Sequence, residues 1–181
     1  MIFESYGGFD LPRTRTGHWR RAFWEDVEAA DDGLSNSIGC YVFCLKTKLA
    51  VKPWYIGKTI SKDGFRSEVF TPHKLSHYDE IMQPTIEGVL RRNGQPSIML
   101  FPLLTENWGF SSNRSNSVDT IEWLETALIG MALSRNPEIA NTSKTRFHRE
   151  IFVNGIIGVQ DQGRPSRGAS FAKDVFLAKS K

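Results

Sequence analysis

The sequence predicts a mixed α+β protein built on a small antiparallel sheet. Two runs rich in β-formers, Gly39–Lys46 and Lys52–Thr59, lie about five residues apart, as in a hairpin. A third such run follows at Pro96–Leu104. Helical periodicity brackets all three, at His18–Ala30 and Val118–Arg135.

Along the chain, a Gly-rich start leads into His18–Ala30, where Trp19, Phe23, Trp24 and Val27 fall near one helical face. Asp31-Asp32-Gly33 ends that helix. Lys52–Thr59 is entered through Pro53, which must lie at an edge or at the first rung of the ladder. Phe65–Tyr78 has room for one or two helical turns, interrupted at Pro72. Asp79–Asn93 reads as a helix stopped by Asn93-Gly94. Thr105–Ser117 is polar and reads as a loop. Val118–Arg135 follows, with Asp119 and Glu122 spaced like a capping box and Asn136-Pro137 as terminator. Phe147–Val159 is β-like, and Gln160–Ser170 is a Gly/Arg/Ser loop before a short tail.

A chain of 181 residues fits one domain with a real core. With 40% hydrophobic and 24% charged residues, disorder, collagen and coiled coil are excluded. The longest apolar stretches, Ile38–Leu45 and Ile98–Leu104, are far below the ~20 residues that cross a bilayer. Met1–Pro12 lacks a basic-then-apolar leader, so a cytoplasmic location is expected. Cys40 and Cys44, four apart on a strand, would have Cα atoms ~13 Å apart, too far for a disulfide. Reduced, buried thiols are expected. The net charge of +3 permits nucleic-acid binding without demanding it. Arginines 13, 15, 20 and 21 interleave with Trp19, and Arg164 and Arg167 sit among glycines; either group can track phosphates or simply form a solvated face.

Two local features strain against a purely structural reading. On a helix, Glu125 neighbours Ile121, Leu128 and Ile129, so its carboxylate lies within or beside the core-facing stripe. It then needs a cation, hydrogen-bond donors or a metal, unless it only edges the stripe or pairs with a basic side chain. In the hairpin, placing Tyr41 opposite Tyr55 sets Phe43 opposite Pro53 and Leu45 opposite Val51. The two tyrosines would share one face with Gly57, whose missing side chain opens space for a ligand. An aromatic cross-strand pair on a packed sheet is the plain alternative.

Gly39-Cys40-Tyr41, then Tyr55-Ile56-Gly57-Lys58-Thr59, an arginine soon after, Leu124-Glu125 with Leu128-Ile129, Pro137 and Asn141 follow one another in the order of the GIY-YIG nuclease family, which the chain resembles over residues 38–141. Cys40 stands where the family carries isoleucine. The resemblance implies a three-stranded antiparallel sheet flanked by helices, here with an extra N-terminal helix and a C-terminal β-like extension. Residues 1–37 and 142–181 would flank the core within a single domain. It also implies phosphodiester hydrolysis, most naturally of DNA, with one divalent ion, Mg2+ or Mn2+. Glu125 would be the lone protein ligand of that ion.

The resemblance further makes Tyr41 the general base, which means lowering a phenol of pKa ~10 by ~3 units, about 4 kcal/mol. Lys58, Arg66 and the metal would supply that shift. Tyr55 would orient water or the scissile phosphate, Arg66 would clamp phosphate oxygens, and His73 would assist proton transfer. Gly57, Lys58, Lys74 and Asn141 complete the substrate side, Asn141 holding the helix end or the surroundings of the metal. His73 and His77, four apart, also resemble a zinc pair, but no HExxH pattern or cysteine partner backs that reading. A homodimer would suit cutting both strands of a duplex. The competing expectation is a non-catalytic module of the same fold that binds nucleic acid or protein.

Overall fold

The computed structural model describes residues 1–82, 94–112, 114–146, 150 and 166–176. It is α+β, as expected, but the antiparallel sheet has five strands instead of three. The strands are β1 (Ile2–Phe3), β2 (Tyr6–Asp10), β3 (Gly39–Lys46), β4 (Val51–Thr59) and β5 (Gln95–Leu104). Their order is β1-β5-β3-β4, with β2 also paired to β5. The helices are α1 (Trp19–Ala30), α2 (Gly64–Glu68), α3 (Pro72–Met82), α4 (Val118–Arg135) and α5 (Arg167–Phe176). No helix among the described residues is long and apolar enough to cross a membrane.

The two extra strands come from the segment read only as a Gly-rich start. Glycine is a poor strand former, yet Gly7 is required here. Its φ is +129°, and a Cβ would fall 2.7 Å from the Ile98 carbonyl oxygen. It sits where the β2–β5 register shifts, between Gly7 and Phe9. A bulge of this kind needs a residue that tolerates positive φ and close backbone approach.

Central β3 is buried on both faces from Gly39 to Leu45. Strand alternation sends Tyr41, Phe43 and Leu45 into one layer, with Phe23, Trp24 and Val27 of α1, Phe65 of α2 and Tyr78 and Ile81 of α3. Val42 and Cys44 enter the opposite layer, with Ile56 of β4 and Ile129, Ala132 and Leu133 of α4. Cys40 packs there too, against Ile121. Both cysteines are buried and free, as anticipated.

The hairpin register differs from the expected one in two steps. Lys46 pairs with Val51 and Leu45 with Lys52, one residue along from the expected match. The reason is the turn: the Thr47 amide donates to the Ala50 carbonyl at 2.8 Å, and the Thr47 hydroxyl accepts the amides of Leu49 and Ala50. A second one-residue shift falls between Phe43 and Cys44, so Trp54 is the extra, bulged residue. Beyond it, Phe43 pairs with Tyr55 and Tyr41 with Gly57. A single slip would flip every side chain to the other face; two restore it. Tyr41 and Tyr55 therefore share a face after all, as diagonal neighbours.

Strand β4 is a sheet edge, and the chain after α4 covers it. The Asn136 side-chain amide donates to the Pro53 carbonyl at 2.8 Å, and the Ala140 amide donates to the Trp54 carbonyl at 2.8 Å. The Asn141 side chain then brackets Ile56: its Oδ1 accepts the Ile56 amide at 2.9 Å and its Nδ2 donates to the Ile56 carbonyl at 2.8 Å. A side chain thus substitutes for a neighbouring strand and satisfies an edge that is otherwise open to pairing.

Four other expectations change. α3 begins at Pro72, not at Asp79, because proline is well suited to the first helical position, where its missing N–H costs nothing. The rest of the expected Asp79–Asn93 helix, residues 83–93, lies outside the described residues. The Asp119/Glu122 capping box does not form; a 3-10 turn at Ser115–Ser117 leads into α4, and Glu122 turns to Lys58 instead. Within the expected 160–170 loop, Arg167 already opens α5, because the Ser166 hydroxyl accepts the Ala169 amide at 3.1 Å and caps the helix. Of the β-like 147–159 stretch only Glu150 is described. It is helical, with Arg146 Nε 3.0 Å from its carboxylate.

Replacing Asn141 by leucine keeps the volume but strips both bonds from the Ile56 backbone. The expected loss is roughly 2–4 kcal/mol, read as a lower urea midpoint with unchanged slope.

Candidate active site

The hairpin brings Tyr41 and Tyr55 together with ring centroids 6.4 Å apart. Tyr41 is wholly buried. Its ring lies across Gly57, where a Cβ would overlap Cζ and Oη of the phenol. The space that Gly57 was expected to leave for a ligand is therefore filled by Tyr41 itself. Phe65 of α2 meets the same ring edge-on at 6.5 Å. The Tyr41 hydroxyl finds no hydrogen-bond partner among the described residues. Burial pushes its pKa well above 10, and Tyr78, Tyr55 and the negative charges of Glu68 and Glu125 push the same way.

Tyr55 is buried at 8% exposure but well partnered. Lys74 of α3 donates a short hydrogen bond to its hydroxyl, and the Lys74 ammonium also lies 4.9 Å from the ring centroid. Glu68 is 3.8 Å from the same ammonium. His77, and not the expected His73, stacks on Tyr55: its ring lies 5.4 Å from Tyr55 at 19°, and His73, one turn earlier, meets the His77 ring. Lys74, expected as a phosphate contact, thus stands directly on a tyrosine hydroxyl.

Glu125 is held against the other layer, with a side chain only 14% exposed. Its Oε2 accepts from Lys144 at 2.7 Å and lies 3.8 Å from Lys58. Lys58 in turn donates to Glu122, one turn earlier on α4. Lysine thus meets the demand for a cation that the apolar neighbours of Glu125 created. The Lys58 hydrogen bond and charge, with help from Lys144, hold the Glu122 carboxyl below the usual carboxylate range.

Alternation along β4 fixes how these two groups relate. Tyr55 faces the α1–α3 layer, whereas Ile56 and Lys58 face α4. Glu125 and the phenols therefore occupy opposite faces of the sheet. The charge of Glu125 is felt on both sides: it raises the pKa of Tyr41, and it adds to the burial that lifts Cys40 to about 12.

Of the other expected residues, Arg66 is exposed on α2, with its guanidinium 5.9 Å from the Trp24 ring centroid and within electrostatic reach of Glu28. It belongs to the α1 side and not to the tyrosine pair. Asn141, expected on the substrate side, spends both ends of its amide on Ile56 and positions the strand between Tyr55 and Gly57. Sequence reasoning passed over Lys144. It sits three residues beyond Asn141 with φ of 60°, in a polar stretch without periodicity, so nothing local marked it. Glu68, at the end of α2, also went unmarked, because only the fold brings it to Lys74.

Comparison with protein-family models, with curated proteins and with solved structures finds no match. What fold and site define directly is an α+β protein with an open antiparallel sheet, a buried tyrosine pair and an adjoining Lys/Glu cluster.

Alkaline titration tests the tyrosine environments. Tyr6 is lifted to about 12 by its hydrogen bond to Asp31, and burial raises Tyr41 and Tyr78. A phenol raised above its unfolded value of ~10 contributes stability fully below that pH and loses it as pH climbs through the folded value. Three of the four tyrosines should therefore show no phenolate absorbance in the native protein at about pH 10, and should ionise there once denaturant unfolds it.

Proposed function

We propose that the chain is a cytoplasmic, divalent-metal-dependent endonuclease of the GIY-YIG type acting on DNA. The supporting observation is the Tyr41 hydroxyl, wholly buried yet without a hydrogen-bond partner among the described residues. A tyrosine kept only for packing gains nothing from such a donor, because a buried unsatisfied hydroxyl costs about 1–3 kcal/mol. A phenol retained at that cost has a partner to meet, and a phosphoryl oxygen is a suitable one.

The residues divide the work by charge. Tyr41 stays protonated, since burial and two carboxylates raise its pKa. Its role is then to donate a hydrogen bond to an oxygen that gains charge, in place of the base role that the resemblance implies. Tyr55, fixed by Lys74, orients the reacting group from the same face. Lys58, Lys74 and Lys144 attract phosphate; in the resting protein they neutralise Glu122, Glu68 and Glu125.

Glu125, with Glu122 one turn away, offers the hard oxygen donors that Mg2+ or Mn2+ prefers, and these carboxylates would hold the ion once phosphate draws the lysines off. When bound, that ion supplies a Lewis acid and a lowered pKa for water. Among the described residues no three His, Cys, Asp or Glu side chains converge on a metal position. A site of one or two carboxylates completed by water does not call for three. Cutting both strands would suit a homodimer.

A second reading, a module of this fold that binds nucleic acid or protein without cutting, is favoured by one fact: Glu125 is already satisfied by lysine. Plasmid nicking with and without Mg2+, beside a gel shift in EDTA, separates the two. On the nuclease reading Glu125→Ala abolishes nicking, and unimpaired activity in that variant defeats it. Tyr41→Phe should lower kcat roughly 10²–10³-fold. The same change should leave stability equal or raise it by about 1 kcal/mol, because it removes an unsatisfied donor.

A further inference from the structure

Because α3 opens at Pro72, His73 and His77 stand one turn apart on the same helical face. Their rings meet edge-on with centroids 4.4 Å apart, and their Nε2 atoms converge to 3.1 Å. An N–H···N hydrogen bond accounts for such a contact, but so does the bite of a chelate. With metal–nitrogen bonds of about 2.0–2.1 Å, the 3.1 Å separation subtends roughly 95–100° at a shared ion. That angle lies between square-planar and tetrahedral coordination, the geometries of late first-row ions with imidazole ligands.

The surroundings of His77 suit a ligand. Its Nδ1 lies 3.8 Å from the Glu80 carboxylate, on the side of the ring away from His73. A carboxylate there favours the tautomer with its proton on Nδ1, which leaves the Nε2 lone pair for an ion. Stacking on Tyr55 holds the ring plane. His73 is exposed, so water can complete the coordination. The neighbouring Lys74 ammonium is engaged by Tyr55 and Glu68, and Glu68 and Glu80 offset its charge toward an arriving cation.

We propose that His73 and His77 form a two-histidine chelate for a late first-row divalent ion, zinc foremost, beside Tyr55. This site is chemically separate from the carboxylates of Glu125 and Glu122: its nitrogen donors select zinc, nickel or copper, whereas oxygen donors select Mg2+ or Mn2+. It does not depend on the nuclease reading. Occupancy clamps the first two turns of α3 and fixes His77 against the tyrosine ring.

Calorimetric titration of the full chain with zinc chloride, in a non-coordinating buffer containing excess Mg2+, tests this. The expected result is one zinc ion per chain. His73→Ala, at an exposed position that should leave the near-ultraviolet circular dichroism unchanged, should weaken binding by at least the roughly 10–100-fold that losing an outer partner costs. Glu80→Gln should weaken it by roughly tenfold, and Glu125→Gln should leave it unchanged. Absence of stoichiometric binding overturns the proposal, as does binding indifferent to His73→Ala or lost in Glu125→Gln. His77→Ala adds a further loss where it folds, and the His73 and Glu80 variants decide the matter without it.

Discussion

The Tyr41 ring can lie over the edge strand only because Gly57, directly across the ladder, carries no side chain. Much of the candidate site follows from that absence. The ring is drawn toward the β4 edge, its buried hydroxyl meets no hydrogen-bond partner among the described residues, and Tyr55 is its diagonal neighbour instead of its opposite. Asn141 secures the arrangement from outside by binding the backbone one residue before Gly57. Strand, ring and clamp are thus one packing unit, and none of the three is replaceable without shifting the others.

Around the same edge, charge is arranged in compensated pairs. Lys58 and Lys144 face Glu122 and Glu125 on the α4 side, and Lys74 faces Glu68 and the Tyr55 hydroxyl on the α3 side. Glu125 and Glu68, both partly buried, are tolerable because an ammonium stands beside each. Burial, with the charges of Glu68 and Glu125, raises the pKa of Tyr41, so the phenol stays protonated.

The strands of the hairpin and α4 were legible in sequence because their signals are local: β-branched and aromatic runs, a 3.6-residue period, an Asn-Pro stop. The anomaly of Glu125 was legible for the same reason, since its helical neighbours are apolar whatever the tertiary structure. The strands β1 and β2 were not, because a two-residue strand and one opening Tyr-Gly-Gly gain their stability from pairing with β5 and not from propensity. The α5 start was hidden in a Ser/Gly/Arg composition that suits a loop and a capped helix equally well.

The sequence by itself determined the α+β class, the hairpin, the helix that carries Glu125 and the need of that carboxylate for a positive partner. Tertiary structure decided the rest: that lysines from β4 and from the loop after Asn141 supply the partner, that two register shifts cancel so the phenols share a face, and that Arg66 belongs with Trp24. The physical reason is range. Period and propensity act over a few residues, whereas pairing register, edge coverage and the meeting of charges depend on segments up to about a hundred residues apart that only packing brings together.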